Sequence, residues 1–328
     1  EFDAAYEGLI ATLSQVNLVG RDPGFLHIAE KIPTCARADF AVLITGETGT
    51  GKELFARAIH FMSRRRNHPF VPVDCGGTPD HLFENEMFGH ARGAYTDAHR
   101  DQKGLAGMAE GGTLFLDEID SLSLGAQSKL LRFLQERQYR PLGAECFARS
   151  DIKLVAATNG CLEEQVRKKQ FRQDLYFRLN VLRLDLPPLR ERPADIPLLA
   201  EHFLALHCAA GERRTFTPAA LQQMRAYSWP GNVRELLNAV QRAIVFSRTR
   251  LINACEIVPR MPPAQAGEFS QARAEALHSF ERDYVGEMLR RHGGNVTRAA
   301  REAGKERRAF GKLVKKHGLS ARAAAGSS

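Results

Sequence analysis

Gly46-Glu47-Thr48-Gly49-Thr50-Gly51-Lys52 sets three glycines, two threonines and a lysine within seven residues, between an apolar run and a helical pattern. That order suits phosphate binding. The glycines let backbone N–H groups wrap an anion, Lys52 adds positive charge, and the helix start adds its dipole. Glu53 follows, where a hydroxyl that ligates magnesium is usual in such loops. Gly111-Gly112-Thr113-Leu114-Phe115-Leu116-Asp117-Glu118 places Asp117 65 residues after Lys52, at the end of an apolar run. A carboxylate there can organise magnesium, and the next can polarise an attacking water. Alone, each motif could be a glycine turn or a solvated strand end. In this order they predict hydrolysis of a nucleoside triphosphate, with ATP and Mg2+ as cofactors.

These groups need elements to hold them. The run Phe40–Ile44 leads into the glycine loop, and similar runs follow at Phe70–Val73, Thr113–Leu116 and Ile152–Ala157, each separated by helix-compatible sequence. Buried strands alternating with helices predict an α/β fold, a parallel sheet with helices on both faces. After Leu186-Pro187-Pro188 the chain reads as helices without strand-like runs, to about Val258. A Pro-rich linker over 259–272 follows, then from Ala276 a stripe (Leu277, Phe280, Tyr284, Val285, Met288, Leu289) at three- and four-residue spacing. Three more short helices fit before a small-residue tail over 320–328 that is expected to be disordered.

Composition narrows the classes. The 328 residues are 44% hydrophobic and 26% charged, ordinary for a globular protein. No apolar stretch is long enough to span a bilayer and no signal-peptide pattern appears, so no membrane partner is expected. Six scattered cysteines without a C-x-x-C pair argue against a disulfide framework or structural zinc and fit a cytoplasmic location. Net charge is +8, and from Gln271 to Ser328 nine arginines and four lysines face six carboxylates. A basic terminal segment predicts a polyanionic partner. The opening Glu1-Phe2-Asp3 fits a fragment of something longer.

Taken together, the motifs resemble those of the AAA+ activators of sigma-54 RNA polymerase, the bacterial enhancer-binding proteins, from about Leu18 to Leu319. The resemblance rests on Gly46–Glu53, Glu86-Met87-Phe88-Gly89-His90, Gly111–Glu118, Phe171–Asn180, Leu186–Arg192 and Trp229-Pro230-Gly231-Asn232-Val233-Arg234-Glu235-Leu236. In that family Glu follows the loop lysine, so Glu53 fits. The resemblance implies a leader over 1–17, a P-loop AAA+ ATPase subdomain over 18–186 and a helical lid over 187–258. A small all-α helix-turn-helix domain over 273–319 would follow. Gly46, Glu47, Thr48, Gly49, Thr50, Gly51, Lys52 and Glu53 would form the nucleotide loop, with Asp117 on magnesium and Glu118 activating water. Asn159 would sense the γ-phosphate and Arg234 would sense nucleotide from the lid. Arg172 and Arg178 match arginines that reach a neighbour's ATP, which implies hexamer-type rings, and the helix expected over Ala276–Arg291 would supply a dimer surface. Asp74 stands where many relatives carry an Asn that restrains the catalytic Glu; a carboxylate is no amide donor.

The family also carries a loop, Gly-Ala-Phe-Thr-Gly-Ala, that contacts sigma-54. Here it reads Gly93, Ala94, Tyr95, Thr96, Asp97, Ala98: an aromatic ring and the threonine are kept, and a glycine becomes a carboxylate. The segment Gly293–Gly304 resembles the first helix and turn of the family's Fis-like domain, with Asn295 or Thr297 as cap. A recognition helix over Glu306–His317 would then carry Arg307, Arg308 and Lys312, with Lys305 immediately before it, to double-stranded enhancer DNA. The implied function is a sigma-54-dependent transcription activator that hydrolyses ATP as a ring to remodel the polymerase holoenzyme. The altered loop keeps open a regulator of the ordinary polymerase whose ATPase is vestigial. An AAA+ DNA motor or unfoldase would explain the ATPase but neither the loop nor the basic end.

Overall fold

Five short runs become one parallel sheet: β1 (Val42–Thr45), β2 (Phe70–Asp74), β3 (Thr113–Asp117), β4 (Lys153–Thr158) and β5 (Leu182–Asp185), in the order β2-β3-β4-β1-β5. The computed structural model describes residues 17–77, 80–95, 98–208, 214–247, 249–253, 257, 284–285, 288–289, 291–293, 295–305 and 307–317. The inner strands look uniformly apolar because alternate side chains enter two separate cores. Leu43, Leu114, Leu116, Leu154 and Ala156 pack on one face with Phe83, Met87, Leu130 and Leu175. Val42, Ile44, Phe115, Val155 and Ala157 pack on the other with Phe25, Ile32, Phe55 and Ile59. The fifth strand falls outside the four runs legible in the sequence. Only Leu184 on it is fully buried, while Arg183 and Asp185 face solvent, the signature of an edge.

The register aligns the carboxyl ends of the strands. Asp74 lies opposite Asp117, and Thr45 lies opposite both Thr158 and Asp185. The glycine loop leaves β1 at that edge and enters the helix Lys52–Phe61, which buries Phe55, Ala56, Ala58 and Ile59 against the sheet. Open α/β sheets bind ligands at this edge because the chain ends and helix starts converge there.

The described residues of 187–258 are mainly helical: Asp195–His207, Pro218–Ala226 and Asn232–Phe246 pack around Trp229, which is fully buried and donates its indole N–H to Met224 O at 2.8 Å. The expectation of a stretch without strands fails at one place. Thr215–Phe216 and Leu251–Ile252 pair as a two-residue parallel ladder, too short to show periodicity in the sequence.

The chain divides into two compact units at Pro259 and Arg260. In the second unit Val285, Met288, Leu289, Ala299, Ala300, Phe310 and Val314 form a small core. Asn295 caps the helix Val296–Glu302, accepting from Thr297 N at 3.1 Å and Arg298 N at 3.2 Å. Gly304, at φ 62°, turns the chain toward the helix Arg307–Lys316. Leu277 and Phe280 of the expected stripe, the 259–272 linker and the 320–328 tail lie outside the described residues, as do nearly all of 1–17. Among the described residues no helix is long and apolar enough to cross a membrane, and no cluster of His, Cys, Asp and Glu could by itself hold a metal ion.

Candidate active site

The glycine loop is shaped by its positive-φ residues. Gly51 sits at φ 100° as the residue before the helix Lys52–Phe61, and Gly49 sits at φ 80° so close to Gly231 that a Cβ would collide with its carbonyl. Among the described residues the amides of Thr48, Gly49 and Gly51 donate to no acceptor. Lys52 is 8% exposed, and its ammonium donates to Gly46 O at 2.8 Å and Glu47 O at 3.2 Å. Burial pushes the Lys52 ammonium down from the ordinary lysine range, and the charges of Asp117, Asp120 and Glu118 oppose that. A buried cation resting on loop carbonyls, beside unpaired amides at a helix start, fits an anion of phosphate size. Glu53 turns to Arg57 at 2.7 Å.

The carboxylates meet at the end of β3. Asp117 Oδ1 accepts from Glu118 N at 2.9 Å. Glu118 adopts φ 51°, ψ 46°, a left-handed conformation that a non-glycine residue holds only when its surroundings enforce it. Its carboxylate lies against the bare Cα of Gly76, where a Cβ would strike it. Asp74 comes to the same spot from β2 and accepts from Gly76 N at 2.9 Å and Gly77 N at 3.2 Å, ordering the turn beside Glu118. Buried Cys75 reports the local field: burial first, then the charges of Asp74, Asp117, Asp120 and Glu118, push its thiol up to about 12. Beyond β4, Asn159 donates to Thr48 Oγ1 at 3.3 Å, and Thr158 donates to Asp120 at 2.7 Å. The structure thus brings Lys52, Asp74, Asp117, Glu118 and Asn159 to one edge of the sheet.

Sequence reading missed how the lid grips the loop. Asn232 is fully buried at φ 52°. Its side chain donates to Thr48 O at 3.0 Å and Glu47 Oε2 at 3.1 Å and accepts from Leu189 N at 2.7 Å. Val233 N adds a bond to Gly49 O at 3.0 Å. Arg190 clamps Glu47 with two bonds of 2.7 and 2.8 Å, and that pairing, helped by Asn232, holds the Glu47 carboxyl below its usual range. Arg192, 3% exposed, reaches Thr50 O at 3.3 Å and lies over the Phe25 ring. The signal was there: a Gly-Asn pair opening a helix marks a left-handed residue. Arg234 follows on the first turn of that helix, its Cβ near Gly49 and its charge felt by Lys52.

Two predicted arginines stay elsewhere within this chain. Arg172 pairs with Asp174 at 2.7 Å and donates to Ser128 at 3.1 Å, and Arg178 donates to Leu134 O at 3.0 Å. In the loop 93–98, Gly93 N donates to Ala98 O at 2.8 Å, Ala94 abuts Gly143, and Tyr95 is 46% exposed beside the His90 ring. Thr96 and Asp97 lie outside the described residues. Lys305, Arg307, Arg308 and Lys312 are exposed on the second unit, as is Thr297; Glu306 lies outside the described residues.

Comparison with known proteins agrees with this geometry. Residues 18–185 match a family model described as the Sigma-54 interaction domain, and residues 190–274 match one described as the AAA+ ATPase lid domain. The chain is 42% identical over 311 residues to the transcriptional regulatory protein GlrR of Escherichia coli K12, covering 93% of this chain and 68% of that protein. It is 41% identical over 313 residues to the regulatory protein AtoC of the same organism, covering 92% and 68%. Among solved structures it resembles NtrX from Brucella abortus in complex with ATP, with a TM-score of 0.68 and 33% identity, covering 92% of this chain and 69% of that one.

Proposed function

The chain belongs to the sigma-54 interaction domain family of AAA+ ATPases, and from that membership we propose that it hydrolyses ATP as a ring to remodel sigma-54 RNA polymerase holoenzyme at promoters. The observation that carries this reading is the convergence of Lys52, Asp117, Glu118 and Asn159 beneath a lid residue, Asn232, that holds the loop in shape. Lys52 and the loop amides would bind the phosphates. Asp117 would hold Mg2+, completed by phosphate oxygens and water because no all-protein cage surrounds it among the described residues. Bound Mg2+ supplies charge neutralisation across the phosphates.

Glu118 would orient and deprotonate the attacking water, and Asp74 would order the turn against which the Glu118 carboxylate rests. Asn159, next to Thr48, would register the nucleotide, with Arg234 doing so from the lid. Arg172 and Arg178 have their bonds away from the loop of their own chain, which supports action on a neighbour's ATP. A guanidinium supplied that way couples hydrolysis to assembly.

The loop 93–98 would carry the polymerase contact through exposed Tyr95 and through Thr96. The second unit, with its capped short helix, glycine turn and exposed Lys305, Arg307, Arg308 and Lys312, would act as a helix-turn-helix on enhancer DNA. Thr96→Ala tests the whole reading. Expected is ATP hydrolysis at the wild-type rate with transcription from a sigma-54 promoter lost. Transcription that survives Thr96→Ala, or that occurs only from promoters of the ordinary polymerase, contradicts it.

A further inference from the structure

Where the start of β1, the end of the helix Leu124–Glu136 and the approach to β4 come together, a cavity of about 200 Å³ opens beside Arg178. Its walls are Phe133, Leu134, Ile152 and Leu154. A cavity of roughly 150 Å³ lined this way holds benzene, so this one has room for a single ring with a small substituent. At the mouth, Phe40 and Val181 stand 62% and 49% exposed, large apolar side chains held in water.

The polar lining points to an anionic group on that ring. Ser150 is 6% exposed, and its hydroxyl has no partner among the described residues. Its own N–H is spent on Arg137 O at 2.9 Å. An unpaired buried hydroxyl is disfavoured unless something fills the site and bonds to it. Arg137 and Arg178 supply two guanidinium groups to the lining. Asp39, the one carboxylate there, is turned toward Arg65 at 3.8 Å. Guanidinium groups are well matched to carboxylates.

We propose that this cavity binds a small amphiphile, one ring in size with a single carboxylate, and that the bound molecule regulates the ATPase through Arg178. The ring would lie between Phe133, Leu134, Ile152 and Leu154, and the carboxylate would meet Arg137, Arg178 and the Ser150 hydroxyl. Arg178 already rests on Leu134 O at this wall. An anion there holds it on its own subunit and withholds it from the neighbour's nucleotide. The regulatory half rests on the role given to Arg178 above; the binding half does not.

Benzoate is the probe, with benzyl alcohol as its neutral counterpart, each titrated against the full chain by calorimetry and saturation-transfer NMR. Benzoate should saturate and benzyl alcohol should bind about tenfold more weakly, the loss expected for charge-assisted hydrogen bonds. Arg137→Gln should weaken benzoate about tenfold and leave benzyl alcohol unchanged, and Ser150→Ala, a small change that keeps the fold, should weaken benzoate about threefold. At ring-forming concentration benzoate should lower ATP turnover in wild type and have less effect on Arg137→Gln. No saturable benzoate binding, or binding that Arg137→Gln leaves unchanged, overturns the site. Binding as described with unaltered turnover overturns the regulation. If Arg178→Ala itself left turnover unchanged, the role of Arg178 would fail, while the site would still be decided by the binding series.

Discussion

Replacing Asn232 by alanine should loosen the nucleotide loop more than any exposed charge reversal around it. The substitution removes three side-chain hydrogen bonds and leaves the buried Leu189 N–H without an acceptor. An orphaned buried donor costs about 1–3 kcal/mol. Water can replace most of the bond to half-exposed Glu47, but alanine at φ 52° adds about 1 kcal/mol of backbone strain that asparagine tolerates. The total is about 3 kcal/mol. For a unit of this size that lowers the melting temperature by roughly 6–12 °C. If half of the loss lies in pre-organising the loop, ATP affinity falls about tenfold. Asn232→Gly loses the same bonds without the strain and should recover about 1 kcal/mol of stability relative to Asn232→Ala. Calorimetric melting and fluorescent-ATP titration of the two variants read both effects. A melting temperature within about 2 °C of wild type and unchanged ATP affinity would refute the clamp.

Other outcomes follow from the same geometry. Lys52→Ala should abolish nucleotide binding, whereas Glu118→Gln should bind ATP and turn it over at least about a hundredfold more slowly; equilibrium binding and phosphate release separate the two. Specific ATPase activity should rise with protein concentration, and mixing Arg172→Ala with Lys52→Ala subunits should restore turnover at mixed interfaces; constant specific activity argues against shared sites. Deleting residues 271–328 should remove DNA binding and keep ATPase activity. Within that segment Arg308→Ala should relax sequence choice by about 1–3 kcal/mol, while Lys316→Ala should reduce the salt dependence of affinity; gel-shift titrations on specific and random DNA distinguish them.

The sheet and the phosphate loop were legible because they rest on short-range rules. An apolar run, three glycines and a lysine specify their neighbourhood within a dozen residues, and Asp117 and Glu118 announce themselves at the end of β3. The fifth strand was hidden because an edge strand needs burial on few positions, and here only Leu184 is fully buried. Asn232 was visible as part of Trp229–Leu236, yet its role was not, because its partners Thr48, Glu47 and Leu189 are distant in sequence. The same holds for Arg190 and Arg192, visible only as part of Leu186–Arg192, whose partners Glu47 and Thr50 are equally distant in sequence. Gly76 is a further case: that Glu118 uses the space beside its bare Cα depends on the pairing of β2 with β3. Residues that act within one chain became readable by contact, whereas the role proposed for Arg172 and Arg178 needs a second subunit.

The central claim is that hydrolysis at this loop is spent on opening a promoter. Permanganate footprinting measures that opening directly, on a sigma-54 holoenzyme–promoter complex mixed with the chain and either ATP or a non-hydrolysable analogue. The account predicts reactive thymines around the start site with wild-type chain and ATP, and none with the analogue or with Glu118→Gln. Equal melting with the analogue, or no melting with ATP from a chain that binds enhancer DNA on the same template and hydrolyses ATP, would contradict it.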